Sequence, residues 1–165
     1  MGSEGFFRCF QIPIHKKYQI KNKEIQEYGN FKVVDQGQNL IAGYSNDKHK
    51  IFSNFPVIVF GDHTTVLKYV DFDFVVGADG TKLLSNKEGD LLYLYYYLVE
   101  NNIEQEGYKR HFSILKQISV MLPELPEQQK IAKFLSSIDK RIASVSEEVE
   151  GMEGFKKGLL QGMFV

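Results

Sequence analysis

The polar residues of this chain with the most chemical potential are better suited to reading a surface than to breaking a bond. Gln36-Gly37-Gln38-Asn39 follows an apolar run, and carboxamides donate and accept in the paired pattern that fits the edge of adenine in a DNA major groove. Gly61-Asp62-His63-Thr64-Thr65 places small donors and acceptors at the end of another apolar run, with Lys68 close by in sequence. Tyr108-Lys109-Arg110-His111 adds two cations beside an aromatic. From 1 to 23, Arg8, Lys16, Lys17, Lys21 and Lys23 stand against a single acid, Glu4, a net of +4 suited to phosphate. The candidates for base edges are therefore Gln36, Gln38, Asn39, His63, Thr64 and Thr65, and those for phosphates are Lys16, Lys17, Lys68, Lys109 and Arg110. Taken singly, each cluster equally fits an ordinary solvated loop.

Constellations for catalysis are missing from the sequence. There is no Gly-x-x-x-x-Gly-Lys-Ser/Thr phosphate loop and no Gly-x-Gly-x-x-Gly dinucleotide turn. His15, His49, His63 and His111 are scattered without metal-ligand spacing, and His-Glu-x-x-His is absent, so no metal site is expected. Asn54-Phe55-Pro56-Val57 lacks the first proline and the aromatic of the Asn-Pro-Pro-Tyr segment with which amino-methyltransferases hold their target amine. Asp71-Phe72-Asp73 and Asp79-Gly80-Thr81-Lys82 share the acid-x-Lys ending of nuclease sites, a pattern short enough to recur by chance. The chain is expected not to be an enzyme.

Composition sets the frame for these residues. The chain has 165 residues, 43% hydrophobic and 13% aromatic, enough for one globular domain and a short accessory element but too apolar for wholesale disorder. Lys+Arg 20 against Asp+Glu 21 gives a net charge of −1, so binding to nucleic acid would depend on where the charges lie. No apolar run reaches the roughly 18–20 residues that a bilayer span requires, and the N-terminus, Met-Gly-Ser-Glu-Gly, has no secretory pattern. A single cysteine, Cys9, forbids an internal disulfide; a cytoplasmic, membrane-free location is expected.

The chain changes character at Leu122-Pro123-Glu124-Leu125-Pro126. Upstream, residues 1–122 read as an α/β (α+β) globular domain with a mixed, twisted β-sheet. Strands are predicted at Phe31 to Asp35, Pro56 to Phe60, Thr65 to Val70, Phe72 to Val76, Thr81 to Leu84 and Ile118 to Leu122. Asp79-Gly80 predicts a hairpin across 72 to 84, and Gly61-Asp62 a strand end. Asp90 is a candidate N-cap for a buried helix through Val99, whose tyrosines are expected in the core with hydroxyls at its rim.

Residues 123–165 read as one long C-terminal coiled-coil helix. Ile131, Leu135, Ile138, Ile142, Val145, Val149, Met152, Leu159 and Met163 recur in steps of three and four, with Lys156 as the polar exception, giving the 3.5-residue repeat of a coiled-coil seam. Such a helix would run on the order of 60 Å and project its apolar stripe beyond the globule. Pairing with another helix, from a second copy or a partner chain, would cover it; folding back on the globule is the alternative. Gly151, Gly154, Gly158 and Gly162 weaken helicity but permit close approach.

The junction carries a resemblance. Leu122-Pro123-Glu124-Leu125-Pro126-Glu127-Gln128-Gln129-Lys130-Ile131-Ala132, Phe134-Leu135, Ile138-Asp139 and Lys156-Lys157-Gly158-Leu159-Leu160-Gln161-Gly162-Met163-Phe164 resemble the conserved-region helix of type I restriction-modification specificity subunits. Gly61-Asp62-His63-Thr64, Phe74-Val75-Val76-Gly77-Ala78-Asp79-Gly80 and Arg110-His111-Phe112 are similar, more loosely, to the target recognition domain of those subunits. The resemblance implies a non-catalytic subunit that reads one half of a bipartite double-stranded DNA site and uses its helix as spacer and dock. Complete subunits carry two recognition domains and two antiparallel helices, so this sequence corresponds to half of one, either a natural half-length protein that forms a homodimer or a piece of a longer chain. The helix pair would recruit the methyltransferase (modification) subunits and, through them, the restriction subunit. S-adenosylmethionine, ATP and Mg would belong to those partners, and this chain would need no cofactor. The alternative is a coiled-coil assembly module whose globular part binds protein.

Overall fold

The computed structural model describes residues 2–13, 15–77, 79–107 and 109–164. Tyr108, the aromatic expected beside Lys109 and Arg110, lies outside them, as do Ala78 and Val165. The chain divides into two compact units, Met1–Gln129 and Lys130–Val165.

The first unit is built on two four-stranded sheets and a two-stranded ribbon. The ribbon pairs β1 (Gly2–Gly5) antiparallel with β10 (Ser119–Leu122); the single-turn helix α1 (Phe6–Cys9) follows β1, and α3 (Phe112–Leu115) precedes β10. One sheet runs in the order β4 (Gly43–Ser45), β3 (Phe31–Val34), β8 (Phe74–Val76), β5 (Ile51–Phe52), with β3 and β8 parallel and the rest antiparallel. The other is antiparallel throughout: β2 (Phe10–Gln11), β9 (Thr81–Asn86), β6 (Val57–Gly61), β7 (Leu67–Val70). The mixed character expected of the sheet is thus confined to one of three. The strands of four residues or fewer at β1, β2, β4 and β5 were too short for any alternation to register in the sequence.

The core lies between the two large sheets. Val34, Phe52, Phe74 and Val76 from one meet Val57, Val59, Val70 and Leu83 from the other, all 0–2% exposed. β6 is buried on both faces, because α2 (Leu91–Glu100) packs against β6, β7 and β9 on the far side. That explains its uninterrupted Val-Ile-Val-Phe run where a one-sided strand would alternate. The outer face of the first sheet is covered by Ile20 and Ile25, which pack with Val33 and Val75.

The predicted hairpin across 72 to 84 does not form: β8 and β9 belong to different sheets. Gly80 does turn the chain with φ 92°, but the turn carries it from one sheet to the other, and the hairpin is instead β6–β7. A turn signal reports a reversal of direction and not the pairing partner, and here β3 on one side and β5 on the other already occupy both edges of β8.

α2 begins where expected. The Asp90 carboxylate accepts the Tyr93 N–H at 2.9 Å, an N-cap hydrogen bond. The helix predicted to be buried is so on one face, through Leu91, Tyr93, Leu94 and Leu98, while Val99 is exposed. Its tyrosine hydroxyls reach the neighbouring ribbon: Tyr93 donates to the Met121 carbonyl at 2.8 Å and Tyr97 to that of Ser119 at 3.0 Å. Burial, then the negative charges that Tyr97 and Glu127 can carry, hold the Tyr93 phenol above its ordinary 10.0. A group with a raised folded pKa stabilises fully below its unfolded pKa and ceases to do so as pH rises through the folded value. Tyr93→Phe should therefore cost about 1 kcal/mol at pH 8 for the lost hydrogen bond, with the gap to wild type narrowing above pH 10. Urea unfolding from pH 8 to 11 checks it; a gap that stays constant with pH would contradict the assignment.

The helix of the second unit starts in the first. α4 spans Leu125–Met163, 39 residues, on the order of 60 Å at 1.5 Å per residue. Within its first turn Gln128, 4% exposed, donates through Nε2 to the Pro123 carbonyl (2.7 Å) and accepts the Asp90 N–H on Oε1 (2.8 Å). These bonds place the first turn with the globular unit, in keeping with a division into compact units at Gln129/Lys130. From Ile138 on, the stripe is exposed: Ile138 40%, Ile142 59%, Val145 51%, Val149 49%, Met152 67%, Leu159 47% and Met163 73%, whereas Ile131 and Leu135 are half-buried.

Candidate nucleic-acid interface

Three loops carry predicted contact residues, a fourth turn adjoins them, and polar groups tie all four to one another. The β3–β4 loop (35–42) holds Gln36, Gln38 and Asn39; the β6–β7 turn (62–66) holds His63, Thr64 and Thr65; the β8–β9 turn contains Asp79 and Gly80; and the segment 103–111 holds Lys109 and Arg110.

Gln36 is the hub of the first three. Its Oε1 accepts the His63 N–H at 3.2 Å, its Nε2 donates to the Asp79 carbonyl at 3.0 Å, and its own carbonyl accepts the Thr64 hydroxyl at 2.6 Å. Closeness here excludes side chains: a Cβ on Gly80 would lie 2.6 Å from Gln36 Oε1, and one on Gly61 would collide with the Thr64 hydroxyl. Gln36 and Thr64, predicted to face base edges, are half-buried and use these groups in hydrogen bonds within the protein.

Two further residues depart from expectation in the same way. Thr65 is 7% exposed, its hydroxyl donates to the Thr64 carbonyl at 2.7 Å, and its backbone holds φ 56°. A β-branched residue in the left-handed region is strained by about 1–2 kcal/mol and persists only where its surroundings fix it; here Asn102 Nδ2 donates to its carbonyl at 2.9 Å. Lys68, predicted to contact phosphate, is 5% exposed. Its ammonium donates to the carbonyls of Asp35 (2.8 Å) and Asn39 (2.5 Å) and sits 3.6 Å from the Asp35 carboxylate. Burial lowers its pKa from 10.5, and the Asp35 charge and hydrogen bond oppose that shift.

The fourth loop is fastened by groups that the sequence reading did not single out for this role, Asp62 and His111. Asp62 is 3% exposed; its Oδ1 accepts the Phe112 N–H at 2.9 Å and its Oδ2 lies 3.8 Å from Lys82 Nζ. His111 is fully buried, with Nε2 accepting the Glu106 N–H (3.1 Å), which places the ring proton on Nδ1, facing the Asp62 carbonyl at 3.1 Å. The His63 ring reaches the Lys109 carbonyl through Nδ1 at 3.3 Å. Gly61-Asp62 and Arg110-His111-Phe112 were legible as motifs, but nothing local in them tells that they meet.

What stays on the surface is a smaller set. Gln38, Asn39, Lys16, Lys17, Lys109 and Arg110 are exposed, and His63 is half-buried. Lys17 lies over the Tyr18 ring at 4.6 Å, and Lys109 pairs with Glu106 at 3.0 Å, both partners about two-thirds exposed. Lys16, Gln19, Ile20, Lys21, Asn22, Gln36 and Asp79 line a cleft of about 650 Å³. It brings Lys16 of the basic stretch to the β3–β4 loop and adds Gln19, Lys21 and Asn22 to the candidate surface. Gln19 is fixed there by its bridge to Val76 and by Nε2 donating to the Gly77 carbonyl at 3.2 Å. Among the described residues no group of three or more His, Cys, Asp or Glu is arranged to hold a metal ion, and no helix is long and apolar enough to cross a membrane.

An α+β unit followed by a long helix is a fold shared with solved structures of specificity subunits. The type I restriction modification DNA specificity domain matches residues 10–150, and the chain belongs to that family. It is 30% identical over 148 residues to the type I restriction enzyme EcoR124I/EcoR124II specificity subunit of Escherichia coli, covering 81% of this chain and 37% of that protein. It is 33% identical over 81 residues to a putative type I restriction enzyme MjaX specificity subunit of Methanocaldococcus jannaschii, covering 45% of this chain and 19% of that one. The fold matches the S subunit of a type I restriction-modification system from M. genitalium with a TM-score of 0.69 at 18% identity, over 90% of this chain and 41% of that one. The HsdS subunit from Thermoanaerobacter tengcongensis matches with a TM-score of 0.57 at 14% identity, over 89% and 39%. The chain thus spans about two fifths of the length of the E. coli relative and of these structures.

Proposed function

We propose that the globular unit reads one half of a bipartite site on duplex DNA, and that α4 pairs with a second such helix to set the distance between two reading heads. The observation that carries this reading is the placement of Gln38 and Asn39 at the exposed tip of a loop fixed from beneath, with Lys16 and Lys21 in the adjoining cleft and Lys109 and Arg110 exposed on a loop fastened to the same turn. Exposed carboxamides on a fixed backbone suit base edges, and peripheral cations suit phosphates. Membership of the specificity-domain family and the name of the E. coli relative support it.

In a homodimer with two-fold symmetry, identical heads would read an interrupted palindrome. Helices on the order of 60 Å would separate them by between one and two turns of DNA at about 34 Å each. The helix pair would dock methyltransferase subunits and, through them, the restriction subunit. Those partners would supply S-adenosylmethionine, ATP and Mg chemistry, and this chain would do none of its own. The role places it in the cytoplasm with the DNA it serves.

Binding by the chain together with methyltransferase subunits tests the division of labour. Gln38→Ala should weaken binding to the target by roughly 5- to 100-fold and relax preference at one base pair, leaving the salt slope unchanged. Lys109→Ala should weaken every duplex alike and lower the slope of log affinity against log salt by about one. Affinity independent of sequence in the wild type would instead favour an assembly module whose globular part binds protein, a role compatible with the net charge of −1.

A further inference from the structure

The β3–β4 loop has almost no backbone scaffold of its own. The Ala42 N–H reaches the Val33 carbonyl where the loop closes, but its carbonyls at Asp35, Gln36 and Asn39 are taken by side chains of the β6–β7 hairpin. Lys68 holds two of the three. It stands on β7 two residues before the fully buried Val70, on the same face of the strand, so its stem enters the core side and its ammonium emerges under the loop. The Asp35 carboxylate completes the wrap by accepting the Gly37 N–H at 2.8 Å while facing the ammonium at 3.6 Å. A chain segment folded around a single cation takes its shape from that cation.

Resting on the DNA-reading role proposed above, we infer that Lys68 is a positioning residue for sequence specificity: it never touches DNA, and it sets the backbone on which Gln38 and Asn39 present their carboxamides. The two ends of the bridge lie in different sheets, so the lysine also fixes the β3–β4 loop to the turn that carries His63. A buried ammonium costs desolvation, which an apolar residue at this position would avoid. The inferred role gives that cost a function: two carbonyls, one at the start and one in the middle of a short loop, are bound by one buried donor.

The test uses the chain reconstituted with its methyltransferase subunits, a duplex bearing the target mapped for the wild-type complex, and a scrambled duplex of the same length. Lys68→Met keeps the stem and removes the donor. Affinity for the target should fall roughly tenfold or more, affinity for the scrambled duplex should stay within about twofold, and the salt slope should not change. Amide hydrogen exchange at 36–41 should accelerate at least about tenfold, with β6 and β9 unaffected. If Lys68→Met does not fold, Asp35→Asn, which keeps a side-chain acceptor for the Gly37 N–H but removes the charge, should show a smaller loss of discrimination in the same direction. Unchanged discrimination in a folded Lys68→Met or Asp35→Asn variant would overturn the inference. So would an equal loss on both duplexes with a slope lower by about one, which would mark Lys68 as a phosphate contact. A wild-type complex that shows no sequence preference would overturn the reading role itself and this inference with it.

Discussion

In the double variant Ile142→Asp, Val149→Asp, the proposed association through α4 should be lost while the globular unit keeps its own cooperative unfolding. Both positions lie on the 3.5-residue seam and are 59% and 49% exposed in the single chain, so nothing within the chain depends on their being apolar. In a helix pair each would be covered. Burying a side chain of this size contributes about 1.5–3 kcal/mol, and a two-fold dimer loses four of them together. An aspartate at the same place adds a charge that must be desolvated. The dissociation constant of a homodimer should rise at least about a thousandfold, read by sedimentation over a concentration series. Retention of the dimer would move the interface off this stripe and remove the basis for a fixed spacing between reading heads. Lys156→Leu, at the one polar seam position, should shift the equilibrium the other way.

The second large effect is expected at Asp62→Ala, within the globular unit. One carboxylate oxygen accepts the Phe112 N–H and the other faces Lys82, in a side chain that is almost wholly buried. Alanine leaves a buried N–H without an acceptor and Lys82 without its counter-charge, a loss of about 2–4 kcal/mol in urea unfolding at neutral pH. Asp62→Asn keeps an acceptor for Phe112 and should lose less than half as much. Equal losses in the two would show that the hydrogen bond to Phe112 is immaterial and that the charge alone matters. Because the Asp62 carboxylate anchors the Phe112 N–H just past the segment carrying Lys109 and Arg110, the alanine variant, which keeps only the main-chain carbonyl that serves His111, should loosen that segment, and protease cleavage within 103–110 should accelerate before the core strands exchange.

The features that sequence revealed are those that local physics decides. The Asp90 cap, the apolar Val57–Phe60 run and the seam of α4 were visible because capping, burial of a central strand and helical periodicity are written within a few residues of one another. Pairing was not. Asp79-Gly80 announced a reversal, yet β8 enters between β3 and β5, and that choice depends on residues some forty positions upstream. The candidate surface divided along the same line. Gln38, Asn39, Lys16, Lys109 and Arg110 are on the surface because polar side chains in loops usually are. Gln36, Thr64 and Lys68 use their polar groups within the protein because each found partners in a loop distant in sequence, while the Thr65 hydroxyl bonds the carbonyl of its neighbour Thr64. A trace of this was present for Lys68: it shares strand parity with Val70, so alternation alone set it on the buried face, against the general rule that lysine is exposed. Asp62 and His111 left no such trace, since their importance arises only when the β6–β7 turn meets the 103–111 segment.

Mapping of methylated bases in cells that carry this chain with the methyltransferase subunits proposed as its partners tests the central claim most directly. The account predicts modification at one interrupted sequence whose two halves are inverted copies, absent when the chain is omitted and degenerate at one or more base pairs in each half when Gln38 is alanine. Methylation at the same sites without the chain, or scattered without sequence preference in its presence, would contradict it.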